Sequence, residues 1–189
     1  MDTLVAIQRI LKSGVIAIMR APDATRLLDA AKAIHEGGIE VIEVTMTTPN
    51  ALTVIEESVH GFGDSVLFGA GSVLDAETAR AAILAGAQFV VSPTLNLQMI
   101  ELCKRYSVPV IPGAFSPTEI LTAWEAGADV VKVFPASAGG GPGYIKAIKA
   151  PLPQIRLAAV GGVSLENTAE FFRAGVDAVG VGNELVNAK

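Results

Sequence analysis

Cysteine occurs once in the 189 residues, at Cys103, and histidine twice, at His35 and His60. One cysteine forms no internal disulfide and builds no cysteine-based zinc cluster, and two separated histidines argue against a histidine-rich metal site. Charged residues are only 17% of the chain and sum to −5, with Lys104-Arg105 as the densest basic spot. A dedicated nucleic-acid surface is therefore not expected. No apolar run reaches the roughly 18 residues of a membrane span; Gly14–Met19 is stopped by Arg20 and Pro22. The first residues carry no basic segment and no long apolar core, so no secretory leader is expected. The chain reads as soluble, acidic and cytoplasmic, with neither nucleic acid nor membrane as partner.

What is present is apolar and glycine-rich. Hydrophobic residues make up 51% of the chain, aromatics only 5%, and the mean hydropathy is +0.49. Such apolarity calls for strands buried on both faces or for an oligomer interface. The 19 glycines and 10 prolines are dispersed, which excludes collagen and linker sequences. The length suits one domain with a full core, and no composition shift divides residues 1–189.

Eight apolar, β-branched runs recur about every 24 residues: Val15–Met19, Val41–Thr45, Val66–Ala70, Phe89–Ser92, Val108–Ile111, Val130–Phe134, Ile155–Val160 and Ala178–Val181. Each suits a parallel strand covered on both sides. Helical spacing fills the gaps, as in Ala24–Glu36 and Ala76–Ala85. Gly37-Gly38, Gly86, Gly127 and Gly175 sit where helices should stop, and Asp23, Asp75, Ser116-Pro117 and Ser164 where they should start. Alternating strands and helices imply a parallel sheet. Eight units imply a small, single-domain α/β protein, a (β/α)8 TIM barrel. The competing reading is an open doubly wound sheet, but no Gly-x-Gly-x-x-Gly turn follows the first strand.

In a barrel of this kind, chemistry sits where strands end. Lys132 interrupts the buried run Val130–Phe134. Desolvation there favours the neutral amine, the form that attacks a ketone to make an imine. The plainer reading is a lysine paired with a carboxylate or reaching out from an edge. Glu43 interrupts Val41–Thr45 and shares one face with Val41 and Thr45. If that face lines the barrel, Glu43 and Lys132 approach each other. Together they are either a proton-transfer pair or a structural ion pair. Arg20 ends the first run, as a clamp for a carboxylate or phosphate or as a solvated cation. Gly161-Gly162 and Gly180-Val181-Gly182-Asn183 follow the last two strands, the recurrent phosphate position of this fold, though ordinary tight turns read the same way. Gly139–Gly143 is a flexible loop that closes over substrate or merely connects. His35, His60, Cys103 and Trp124 read as solvated or packing residues.

These residues stand in phrases that resemble one family. Val41-Ile42-Glu43-Val44-Thr45, Gly69-Ala70-Gly71-Ser72-Val73-Leu74, Ser92-Pro93, Ile111-Pro112-Gly113 with Ser116-Pro117-Thr118-Glu119, Val131-Lys132-Val133-Phe134-Pro135 and Gly161-Gly162-Val163 are similar, in order, to the class I 2-keto-3-deoxy-6-phosphogluconate (KDPG) and 4-hydroxy-2-oxoglutarate aldolases. The resemblance implies a homotrimeric barrel, a lyase releasing pyruvate and glyceraldehyde 3-phosphate from a phosphorylated 2-keto acid, and no metal or external cofactor. It implies Lys132 as the imine former and Glu43 as the acid/base. It further implies substrate contacts from Arg20, Thr45, Thr47, Ser72, Pro93, Phe134 and Val160, with phosphate held by Gly161, Gly162, Gly182 and Asn183. Thr47 stands where many members have a carboxylate-holding arginine, Val160 where threonine precedes Gly-Gly, Asn183 where serine is usual and Thr94 where glycine is common. These departures bear on substrate choice, not on imine chemistry. The rivals are a related enzyme on another 2-keto acid (a phosphogalactonate aldolase or an oxaloacetate decarboxylase) and a non-catalytic, oligomerising scaffold.

Overall fold

Strands and helices alternate in the computed structural model, which describes residues 2–20, 26–182 and 184–185. The order is α1 (Thr3–Ser13), β1 (Val15–Met19), α2 (Leu27–Glu36), β2 (Val41–Thr45), α3 (Ala51–Phe62), β3 (Leu67–Gly71), α4 (Ala76–Leu84), β4 (Val90–Val91), α5 (Leu97–Arg105), β5 (Val110–Ile111), β6 (Gly113–Ala114), α6 (Pro117–Glu125), β7 (Val131–Val133), α7 (Pro142–Lys149), β8 (Leu157–Val160), α8 (Thr168–Ala174) and β9 (Ala178–Val181). All pairings are parallel, in the order β5-β4-β3-β2-β1-β9-β8-β7-β6.

The two ends of that order, β5 and β6, are separated in the chain only by Pro112. Proline has no N–H for a ladder, and the chain changes partner there. Val110 and Ile111 pair with β4, whereas Gly113 and Ala114 pair with β7. The Pro112 carbonyl accepts the Lys132 N–H at 2.9 Å. What reads in the sequence as one fifth strand therefore serves two neighbours, and the sheet closes through the chain into the expected (β/α)8 barrel.

The core has three parts. An inner cluster gathers Ile16, Val41, Leu67, Phe89, Val91, Ile111, Val130, Ala158 and Ala178 from the strands or the residues just before them. Outside the sheet, one cluster runs from Ala17 to Val110 and another from Ala114 to Val181. Full burial of side chains such as Phe68, Phe89, Phe171 and Ile10 stabilises the fold by about 1.5–3 kcal/mol each before entropy is counted.

Helix α1 is not evident from the apolar runs. Its Ala6 and Ile10 join the inner cluster, so it stoppers the barrel's N-terminal end. Asp2 caps it by accepting the Leu4 N–H at 2.8 Å, and Gly14 ends it at φ 66°. Elsewhere the punctuation holds: Asp75 caps α4, Ser116 caps α6 in a capping box with Glu119, and Gly38, Gly86, Gly127 and Gly175 all take positive φ. Ser164 does not cap a helix. Helix α8 starts only at Thr168, with Asn167 at its N-cap; the Asn167 amide oxygen accepts the Ser164 N–H at 2.9 Å. Asp23 lies outside the described residues. His35 is not simply solvated: its ring meets Phe62 edge-on and its Nδ1 is buried.

Candidate active site

Register brings the polar exceptions into one ring. Glu43 pairs with Ile18 on β1 and Gly69 on β3, while Lys132 pairs with Gly113 on β6 and Ala158 on β8. Glu43 lies two residues beyond Val41 and Lys132 two beyond Val130, both members of the inner apolar cluster, so each side chain is on the same inward face. Glu43 is 2% exposed and Lys132 5%. The Lys132 Nζ stands 5.0 Å above the centre of the Phe134 ring.

Burial is the main influence on both groups. It pushes Lys132 below the usual lysine pKa; the Glu43 charge opposes this and Arg20 adds to it. It pushes Glu43 above the usual carboxylate value, against the opposing pull of Lys132 and Arg20. The two side chains are thus coupled through their fields. The ion pairs among the described residues join other partners. A lysine driven toward neutrality beside a carboxyl driven toward holding its proton suits a nucleophile with an attendant acid/base.

A cavity of about 340 Å³ opens on the β1, β7, β8 and β9 side of the mouth, lined by Ile18, Arg20, Phe134, Val160, Gly161, Gly162, Val163, Gly180, Gly182 and Glu184. It approaches the pair through Ile18, the register partner of Glu43, and through Phe134, whose ring lies under the Lys132 Nζ. Seven residues singled out from the sequence, Arg20, Phe134, Val160, Gly161, Gly162, Gly180 and Gly182, therefore share one wall. Gly161 and Gly162 have φ of +91° and +74°, a conformation that side chains rarely take. Their carbonyls accept from the Ser137 N–H at 3.0 Å and the Asn167 Nδ2 at 2.8 Å, and neither N–H donates to a described residue. The late start of α8 means that any anion here meets loop N–H groups rather than a helix terminus. Asn183 lies outside the described residues.

Thr45, Thr47, Ser72 and Pro93 occupy the other side of the mouth, at the ends of β2, β3 and β4. The buried Thr45 hydroxyl lies 3.0 Å from that of Thr47 and 3.3 Å from that of Thr48. Ser72 holds φ +56°, a strained setting for a residue with a side chain. Gly139–Gly143 is an ordered turn into α7. Its Gly140 and Gly141 N–H groups donate to Ser137 and Ala136, and Pro142 occupies the first turn of the helix. Cys103 is buried and its thiol is pushed up to about 12 by desolvation, which leaves it inert. Among the described residues no cluster of three His, Cys, Asp or Glu side chains forms a metal site. No described helix is long and apolar enough to cross a membrane. Two residues of the mouth received no role of their own from the sequence. Glu184 looks like any loop glutamate, and Gly71 matters through a contact with another strand.

A closed parallel barrel with a desolvated lysine and a carboxyl at the C-terminal mouth is the frame of a class I aldolase, a lyase that works through a Schiff base. Comparison with known proteins makes this specific. Residues 7–189 match the KDPG and KHG aldolase family. The chain is 39% identical over 178 residues to the 2-dehydro-3-deoxy-6-phosphogalactonate aldolase of Escherichia coli, covering 94% of this chain and 86% of that one. It is 42% identical over 166 residues to the 2-dehydro-3-deoxy-phosphogluconate aldolase of Treponema pallidum, covering 88% and 77%. The fold superposes with a TM-score of 0.89 at 32% identity on the KDPG aldolase of Legionella pneumophila, solved with pyruvate captured as a covalent carbinolamine, over 96% of this chain and 88% of that one. The chain belongs to the KDPG and KHG aldolase family.

Proposed function

We propose that this lyase cleaves 2-keto-3-deoxy-6-phosphogluconate to pyruvate and glyceraldehyde 3-phosphate, and 4-hydroxy-2-oxoglutarate by the same route, through an imine on Lys132. The observation that carries the proposal is Lys132 itself: inward-facing, 5% exposed, over the Phe134 ring that lines the cavity. Its lone pair attacks the C2 ketone to give a carbinolamine. Loss of water gives a protonated imine, an electron sink. Glu43 takes the proton of the C4 hydroxyl as the C3–C4 bond breaks. The bonding pair passes into the imine as an enamine, and the aldehyde departs. Protonation at C3 and hydrolysis return pyruvate and the free amine. No external cofactor enters the cycle. The phosphorylated product end fits a cytoplasmic enzyme, since a phosphate monoester does not cross membranes unaided.

We assign Arg20, Thr45, Thr47, Ser72 and Pro93 to the keto-acid end, with Phe134 and Val160 between the ends. Gly161, Gly162, Gly182 and Asn183 take the phosphate. Gly162 offers the sharper test. A Cβ on Gly162 would stand 2.4 Å from the Ser137 Cβ, at φ +74°. Gly162→Ala is expected to raise KM for the phosphorylated substrate by about 10–100-fold, the scale of one charge-assisted hydrogen bond, and to spare trapping of pyruvate by borohydride. Equal loss on phosphorylated and unphosphorylated keto acids would remove phosphate from this loop.

A second reading concerns only the C4 epimer. The E. coli relative that matches over 94% of this chain acts on the phosphogalactonate compound by name. Thr47, where many members carry a carboxylate-holding arginine, leaves that choice to measurement. Comparing kcat/KM for the two epimers decides it. Assembly as a homotrimer belongs to the same proposal. Leu74, Leu97 and Phe115 stand 56%, 51% and 40% exposed beyond β3, β4 and β6, an apolar rim that a neighbouring protomer would cover. Light scattering is expected to give three times the 19.5 kDa chain mass; a monodisperse monomer would refute it.

A further inference from the structure

The Glu43 side chain lies across the backbone of Gly71, the last residue of β3. A Cβ built on Gly71 would stand 1.7 Å from Glu43 Oε1, 2.2 Å from its Cδ and 2.4 Å from its Cγ. No rearrangement of a few tenths of an ångström relieves such contacts; the whole carboxylate would have to leave. The demand for glycine here is one of space alone, because Gly71, unlike Gly161 and Gly162, does not take a positive φ. Gly69, two residues earlier on the same face, is the contrasting case. Its added Cβ would meet the Phe89 ring at 2.5 Å, in the apolar layer. Thus β3 carries two close-approach glycines, one accommodating a core phenyl ring and one the Glu43 carboxylate. No ion pair among the described residues anchors that carboxylate. The walls of its slot therefore set where it points.

We propose that Gly71 is a positioning residue: its missing side chain is the slot that holds the Glu43 carboxylate in the mouth of the barrel. The proposal rests on the reading of Glu43 as the proton-transfer group. Gly71→Ala pushes the carboxylate out of line while leaving Lys132 and the cavity wall untouched. A displacement on this scale costs about 100-fold in rate.

The test is a double-mutant cycle on aldol cleavage with Gly71→Ala and Glu43→Ala, alongside pH profiles and pyruvate trapping. Gly71→Ala is expected to lower kcat about 100-fold, to leave KM within a few-fold, to alter the pH profile and to retain a trapped adduct on Lys132. In the Glu43→Ala background, where the slot is empty, Gly71→Ala is expected to cost less than about twofold more. Gly69→Ala serves as the packing control, with lowered Tm and an unchanged pH profile. If Gly71→Ala fails to fold, the double variant is expected to fold, since removing the Glu43 side chain makes room for the new methyl. Wild-type kcat and pH profile in Gly71→Ala, multiplicative losses in the double, or misfolding of both variants would each overturn the proposal. Full activity of Glu43→Ala alone would instead overturn the role of Glu43, and the proposal with it.

Discussion

Lys132→Met is expected to abolish aldol cleavage, by on the order of 10⁶-fold, the scale of removing a covalent nucleophile. Borohydride with pyruvate should place one pyruvyl adduct on the Lys132 peptide of the parent and none on the variant, read by intact mass and peptide mapping. Methionine keeps the length and apolar stem of lysine, so circular dichroism should be unchanged. The physical reason for so large an effect is that no other lysine among the described residues is buried. Burial disfavours the charged form of Lys132, and the field of Arg20 reinforces it. Retention of substantial turnover in a folded Lys132→Met protein would refute imine catalysis at this residue. An adduct on another lysine would move the chemistry elsewhere.

Glu43→Gln is expected to lower cleavage by about 10²–10⁴-fold, the range for a lost general acid/base. Its pH behaviour is the more diagnostic result. The negative charge of Glu43 raises the Lys132 pKa against the pull of burial. Glutamine removes that charge, so Lys132 falls further below its usual value and its amine stays neutral to lower pH. The acid limb of pyruvate trapping should therefore move to lower pH in Glu43→Gln, even as the overall rate drops. A limb that stays fixed, or moves to higher pH, would show that the carboxylate does not act on the lysine. In Arg20→Ala the sign reverses, because Arg20 lowers both groups, and the acid limb should move to higher pH.

The reactive pair was legible in the sequence because Lys132 and Glu43 interrupt β-branched runs in which a charge is costly. Alternation then set them on the inward face, and the strand bounds Val15–Met19, Val41–Thr45 and Ala178–Val181 agree with the runs. The glycine turns were legible as candidates, and the cavity gathers them with Arg20 and Phe134. Other features depend on distant contacts that no local pattern carries. Helix α1 becomes a helix with a purpose only against the open end of a barrel. Ser164 looks like a cap until Asn167, three residues on, takes that place. Gly71 is one glycine within a longer phrase until Glu43 from the neighbouring strand crosses it. Glu184 reaches the cavity through a turn whose Leu185 N–H returns to the Gly182 carbonyl at 2.9 Å.

The change of partner at Pro112 makes the molecule two half-barrels. Residues from Ala17 to Val110 share one outer core and those from Ala114 to Val181 another. The inner cluster, which draws Ile16 to Ile111 from one half and Val130 to Ala178 from the other, bridges them, together with the β1–β9 ladder and Leu95, which packs on both outer cores. Glu43 belongs to the first half and Lys132 to the second. The active centre therefore has no existence within either half and reports directly on their union. Parting of the halves along this seam would separate nucleophile from base while each outer core, with its helices, still stood. Under rising denaturant, catalysis should fade before helical signal does, and its return on refolding would time the docking of one half onto the other.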